Sequence, residues 1–183
     1  MQSRDGFLFL GMALNVEIKA KAADPEFIRG FLKKNNADFK GIDLQTDTYF
    51  NVPNGRLKLR EGNIENNLIY YERLDTPGAK ESNFHLVRVS DAETLKEILT
   101  RSLGVKMVVK KRREIYFIGN VKFHIDEVES LGNFAEIEAS DLYEDIAKEQ
   151  LQRQCDFYLN ELNIKSGDLV AVSYSDMLYE LAK

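Results

Sequence analysis

Four short segments put charged side chains at every second position. In NVEIKAK (15–21), Asn15, Glu17 and Lys19 alternate with Val16, Ile18 and Ala20. In GRLKLRE (55–61), Arg56, Lys58 and Arg60 alternate with Leu57 and Leu59; in VKFHIDEV (121–128), Lys122, His124 and Asp126 alternate with Val121, Phe123 and Ile125; in FAEIEAS (134–140), Glu136 and Glu138 alternate with Ala135, Ile137 and Ala139. A strand sends successive side chains to opposite faces, so each segment has one ionic and one apolar face. The chemistry depends on how the charge is sorted. Carboxylates gathered from Glu17, Glu136, Glu138 and Asp126 repel one another at close range and call for a hard cation with oxygen ligands, Mg²⁺ or Mn²⁺. Gathered arginines and lysines hold a phosphate chain, Arg through paired N–H groups and Lys as a point charge.

Two architectures fit this pattern. In an open sheet the charged faces meet water and the apolar faces meet a core. If the sheet closes on itself with the charged faces inward, cations line one wall, carboxylates another, and the cavity needs a ligand. Solvated faces usually mix polar types, whereas here one strand carries three cations and another two carboxylates.

The rest of the chain supplies the elements to position these faces. Asp24-Pro25-Glu26 reads as a helix start, with an apolar stripe of Phe27, Ile28, Phe31 and Leu32 and an end near Asn35-Asn36. FKGIDLQTDTYF (39–50) and GRLKLRE flank a Pro53-Asn54-Gly55 turn, and NNLIYYERL (66–74) and NFHLVRV (83–89) form a second pair. Asp91 caps a helix with Leu95, Ile98, Leu99 and Leu103 on one side, ended by Gly104. Strands follow over 105–118, 120–128 and 134–139, then a long amphipathic helix over 144–162 and a shorter one from Ser175. About eight strands in one short chain predict an antiparallel sheet curled toward a barrel with helices outside. The long helix is most simply an outer brace, and paired copies of it offer a face for a homodimer.

Bulk properties bound the function. The chain has 183 residues and a net charge of −5, and 44% of its residues are hydrophobic, as expected for one folded domain over 1–183 that nucleic acid would not find attractive. Cys155 has no partner for a disulfide, which fits a reducing, cytoplasmic setting. FLFLGMAL (7–14) is too short to span a membrane and reads as neither signal nor anchor; Met12 offers an alternative start, making residues 1–12 an extension.

The segments VEIKAK, DTYFNVPNGRLKLRE, YYER, KKRREIY and HIDEVESLGNFAEIE, with the tail SYSDMLYEL (173–181), together resemble the CYTH superfamily, the triphosphate tunnel metalloenzymes that include class IV adenylate cyclases and thiamine triphosphatase. The tail is similar to that of the class IV cyclase-like branch. The resemblance implies an α+β fold built on a closed eight-stranded antiparallel β-barrel whose inward side chains bind a triphosphate and a divalent metal, with no nucleic acid or membrane as partner. It implies Glu17, Glu136, Glu138 and Asp126 as metal ligands, Lys19, Arg56, Lys58, Arg60, Arg73, Lys111 and Arg113 as phosphate contacts, and Lys19 and Asp126 as catalytic groups. Two departures follow. Asn15 stands where the family's signature Glu-x-Glu-x-Lys has its first Glu, so a carbonyl oxygen replaces a charge. In KKRRE, the resemblance turns Lys111 and Arg113 inward, whereas alternation with Val109, Ile115 and Phe117 turns Lys110 and Arg112 inward; a β-bulge would reconcile them, and we take 111 and 113. The implied function is metal-dependent chemistry on a nucleotide or other organic triphosphate, as a cyclase or a triphosphatase. The neutral Asn15 motivates the alternative of a non-catalytic triphosphate or polyphosphate sensor. His124 shares the inward parity of its strand, but a structural, hydrogen-bonded histidine is the simpler reading, and His85, Cys155, Tyr70 and Tyr71 read as packing.

Overall fold

The computed structural model describes residues 13–141 and 146–183. The expectations for residues 1–12 and for a helix start at Glu144 fall outside the described residues. In chain order the elements are β1 (Ala13–Lys21), α1 (Pro25–Lys34), β2 (Asp38–Phe50), β3 (Arg56–Glu61), β4 (Asn67–Arg73), β5 (Lys80–Arg88), α2 (Ala92–Leu103), β6 (Val105–Ile118), β7 (Val121–Val128), β8 (Gly132–Ser140), α3 (Lys148–Glu161) and α4 (Tyr174–Leu181). The eight strands close into one antiparallel barrel in the order β1-β5-β4-β3-β2-β6-β7-β8.

Helix ends follow their local chemistry. Asp24 accepts a hydrogen bond from the Phe27 N–H and Asp91 one from the Thr94 N–H, so each caps orphan donors of a first turn. Ser173 and Asp176 cap each other reciprocally at the start of α4. Gly104 ends α2 at φ 73°, where a side chain would be strained.

The apolar faces of β1, β7 and β8 turn outward and bury Val16, Ile18, Phe123, Ile125 and Ile137 against Ile28 and Leu32 of α1 and Leu151 and Cys155 of α3. The main core therefore lies between the barrel wall and its outer helices, and the helix over 148–161 is a brace on β1 and β8. By strand parity the charged faces point into the lumen. A second apolar cluster of Tyr49, Val109, Val128 and Phe134 with Tyr174 lies inside the barrel beneath α4. α2 packs on β2 and β3 with Leu95, Leu99 and Leu103 half-buried and Ile98 exposed.

The KKRRE strand keeps its parity. Pairing of β6 with β7 runs unbroken from Lys111 to Ile118, and the register shifts of the β2–β6 pairing fall at Phe39/Gly41 and Tyr49/Phe50, beyond the two cations. Lys111 and Arg113 are buried while Lys110 is exposed. Val109 and Ile115 share the buried side with them, so no bulge between the cations is needed: these apolar residues were the misleading cue, because they belong to the lumen rather than to the outer core.

Candidate active site

The lumen encloses a cavity of about 130 Å³ whose wall includes Glu17, Lys19, Lys58, Arg60, Arg73, Lys111, Arg113, Glu136 and Glu138. Nine of the eleven residues expected to act are thus brought together. The other two lie aside: Arg56 is paired with Asp75 at 2.6 Å and with Asp176 of α4 at 3.0 Å, and Asp126 sits behind Arg113.

Strand pairing explains this meeting. β1 lies beside β8, setting Glu17 opposite Glu138 and Lys19 opposite Glu136; β6 lies beside β7, setting Arg113 opposite Asp126. Cross-strand neighbours approach within a few ångströms, so alternate charges on adjacent strands become ion pairs. Lys19 Nζ lies 3.3 Å from Glu136 and 3.9 Å from the centre of the Tyr174 ring. Arg113 donates to Asp126 at 2.7 and 2.5 Å and to Glu136 at 2.6 Å, and the Tyr174 hydroxyl donates to Asp126 at 2.9 Å.

The cationic wall is organised by a residue that sequence reasoning missed. Asp47 on β2 accepts from Arg60 Nε and Nη2 at 2.8 and 2.9 Å, from Lys58 at 3.1 Å and from Lys111 at 2.8 Å. Burial by itself would raise the Asp47 carboxyl, but Arg60, Lys111 and Lys58 hold it well below the usual carboxylate range. Burial lowers Lys111 to about 7 although Asp47 pulls it up. The parity argument that singled out the other strands applies equally to Asp43, Gln45 and Asp47 on β2, and would have found this residue.

Glu65 was also missed, and no periodicity marks it, because it sits in the β3–β4 loop. It reaches into the lumen, accepting from Arg60 at 2.8 Å and Lys122 at 2.5 Å. Burial would raise Glu65, but Lys122 and Arg60 pull it well down. The loop is fastened by Asp43, which accepts from the Ile64 and Glu65 N–H groups at 2.8 and 3.0 Å.

Arg73 is the least satisfied cation of the wall. It pairs with Glu17 through Nη1, while its buried Nε and Nη2 make no hydrogen bond, Nη2 lying 3.9 Å from Asp75 in a loose ion pair, and its side chain is 4% exposed. Buried guanidinium donors normally find acceptors, and these two border the ionic cavity without a hydrogen bond.

A divalent cation fits the acidic wall. Ligand atoms of His124, Glu136 and Glu138 lie within 4.8 Å of one another, with Glu17 across the β1–β8 pairing and the Asn15 carbonyl oxygen buried without a partner nearby on β1. Burial would raise Glu136, yet Arg113 and Lys19 keep it well below its ordinary value and so ionised for a cation. Among the described residues no helix is long and apolar enough to cross a membrane.

Comparison with known proteins places the chain by family and fold. The chain is 29% identical to "Putative adenylate cyclase MJ0240" of Methanocaldococcus jannaschii over 179 residues, 90% of this chain and 98% of that one. The PH1012 protein of Pyrococcus horikoshii superposes with a TM-score of 0.77 at 30% identity over 88% of this chain and 98% of its own. A Hippeastrum protein described as a "putative adenylyl cyclase" with a dominant triphosphatase activity shares the fold, with a TM-score of 0.62 at 14% identity over 92% and 96% of the two chains. Residues 13–174 match the CYTH domain, and the chain belongs to that family.

Proposed function

We propose that the lumen binds a nucleotide or other organic triphosphate together with Mg²⁺ or Mn²⁺, and that the protein is an enzyme acting on it by cyclase-like displacement or by hydrolysis. The observation that carries this reading is Arg73, buried with two donor nitrogens that make no hydrogen bond and lining the cavity with Lys58, Arg60, Lys111 and Arg113. Phosphoryl chemistry asks for positioning and charge neutralisation more than for covalent catalysis. The metal, held by Glu17, Glu136 and Glu138, would neutralise phosphate charge and orient the chain. Arg73 gives its free N–H groups to phosphate oxygens, and Lys58, Arg60 and Lys111 exchange part of their bond to Asp47 for the incoming anion. Arg113, clamped by Asp126, keeps its guanidinium plane fixed while it meets the phosphates. Lys19, between Glu136 and the Tyr174 ring, is lowered by burial and held in place for a phosphate oxygen. Asp126 supports the site through Arg113 and Tyr174.

The likeness to the Methanocaldococcus protein supports the cyclase branch, and the fold shared with the Hippeastrum protein supports the hydrolase branch. Incubating the protein with ATP and Mn²⁺ and separating cyclic AMP from ADP and AMP decides between them. Absence of product from ATP and from tripolyphosphate counts against both.

Asn15 motivates a second reading, a non-catalytic triphosphate sensor, because one carboxylate of the acidic wall is replaced by an amide. That reading expects tripolyphosphate to bind equally well with EDTA present, whereas the enzyme reading expects tighter binding with metal.

A further inference from the structure

The triphosphate reading leaves the buried His124 of the lumen unused. His124 lies directly across the β7–β8 pairing from Glu136, and its side chain is 1% exposed. Its Nδ1 stands 3.2 Å from Glu136 Oε2 and 3.5 Å from Glu138 Oε1, facing both carboxylates, and its Nε2 is buried without a partner. Asp126, expected from the sequence to bind metal, has its oxygens engaged by two Arg113 nitrogens and the Tyr174 hydroxyl. The donor that confronts the Glu136 and Glu138 pair is therefore the imidazole.

We propose that His124 Nδ1 joins Glu136 and Glu138 as a direct ligand, making a mixed nitrogen and oxygen dication site that favours Mn²⁺ and later first-row ions over Mg²⁺. This rests on the reading of the acidic wall as a metal site and names the ion class that it takes. The chemistry is direct. Mg²⁺ prefers oxygen ligands and holds its waters, whereas imidazole nitrogen suits transition ions, and affinity rises along the series that begins with Mn²⁺. Ligation takes the neutral tautomer with its proton on Nε2 and the Nδ1 lone pair toward the ion, so the ion displaces any proton that Nδ1 shares with Glu136. It also adds a donor to a wall that Asn15 has left one carboxylate short.

The test uses the full chain with Mn²⁺ as probe. Pulsed electron spin echo spectroscopy of the Mn²⁺ complex should show coupling to a directly bound ¹⁴N in the wild type; the coupling should vanish in His124→Ala and persist in His85→Ala, where the exposed second histidine is removed. Calorimetry should show Mn²⁺ affinity falling ~10–100-fold in His124→Ala, the range for disturbed metal surroundings, with Mg²⁺ affinity changed far less. Metal-free tripolyphosphate titrations on the same proteins keep the outcomes apart. Mn²⁺ binding without ¹⁴N coupling in the wild type overturns the His124 proposal and leaves the metal reading standing. Failure of Mn²⁺ to bind while tripolyphosphate binds overturns the proposal and the metal reading but not the anion reading, and failure of both overturns all three. The wild-type spectrum needs no variant to fold.

Discussion

Replacing Asp47 by Asn keeps the side-chain volume and removes the charge that the buried Arg60 and Lys111 and the half-buried Lys58 share. Lys58, Arg60 and Lys111 all bond to this carboxylate at 2.8 to 3.1 Å, and the Lys111 and Asp47 side chains are each 1% exposed. Breaking a buried ion pair costs ~3–5 kcal/mol, because the partner is left charged and uncompensated. Lys111 has a partial escape: burial already holds it near 7, so it can lose its proton, which places the expected cost at the lower end of that range. For a chain of this size ~3 kcal/mol corresponds to a fall in Tm of about 6–12 °C. A bound polyanion restores the missing charge. Ligand at a hundred times its Kd stabilises by ~2.7 kcal/mol, and the Asn variant should gain more than the wild type at equal ligand concentration, since the ligand no longer competes with Asp47. Thermal melts of both proteins, metal-free, with and without tripolyphosphate, measure this. A variant melting within about 2 °C of wild type, or one whose ligand-induced rise is smaller than the wild type's, refutes the reasoning.

Three further outcomes are expected. Lys111 sits near 7 in the free protein, against 10.5 in an unstructured chain, chiefly because it is buried; an incoming polyanion favours its ammonium form, so affinity should fall as pH rises above about 7. Calorimetry at pH 8 in two buffers of different ionisation enthalpy should show more proton uptake for wild type than for Lys111→Arg, and equal uptake would contradict the assignment. A methyl group at Gly62 would lie 2.5 Å from Asp43 Oδ1, and Asp43 cannot swing away because it holds the Glu65 loop. Gly62→Ala should therefore cost ~1–3 kcal/mol, as overpacking does, and an unchanged urea midpoint would show that the loop is not fastened as described. Asn15→Glu returns a charge to the acidic wall and should raise Mg²⁺ affinity by roughly tenfold, since affinity follows ligand charge; unaltered calorimetric affinity would show that position 15 lies outside the metal site.

The barrel was legible because its strands obey period two so strictly. Once Glu17, Lys58, Arg60, Glu136 and Glu138 were seen to alternate with apolar residues, only the question of which face is inside remained, and alternation does not answer it. The usual assignment, apolar inward, is inverted here, since the core of Val16, Ile18 and Ile137 lies under helices on the outside of the wall. Capping residues placed the helices well because the caps act locally, as at Asp24 and Asp91. What escaped was non-local. Glu65 enters the lumen from a loop whose path is set by the distant Asp43, and the turn of Arg56 toward Asp176 depends on where α4 docks. Asp47 and His124 lay within reach of the same parity rule. Asp47 was passed over because a lone aspartate carries no motif until the strands around it are assembled, and His124, placed inward by that rule, was read as structural because a single histidine is a poor metal case.

The central claim is that the lumen holds a triphosphate between a cationic and an acidic wall. Its most direct test is a crystal structure of the protein with a non-hydrolysable ATP analogue and Mn²⁺. The account predicts phosphates inside the barrel against Arg73, Arg60, Lys111 and Arg113, with Mn²⁺ on Glu17, Glu136 and Glu138. An analogue bound on the outer surface at saturating concentration, with those ion pairs unchanged inside, would contradict it.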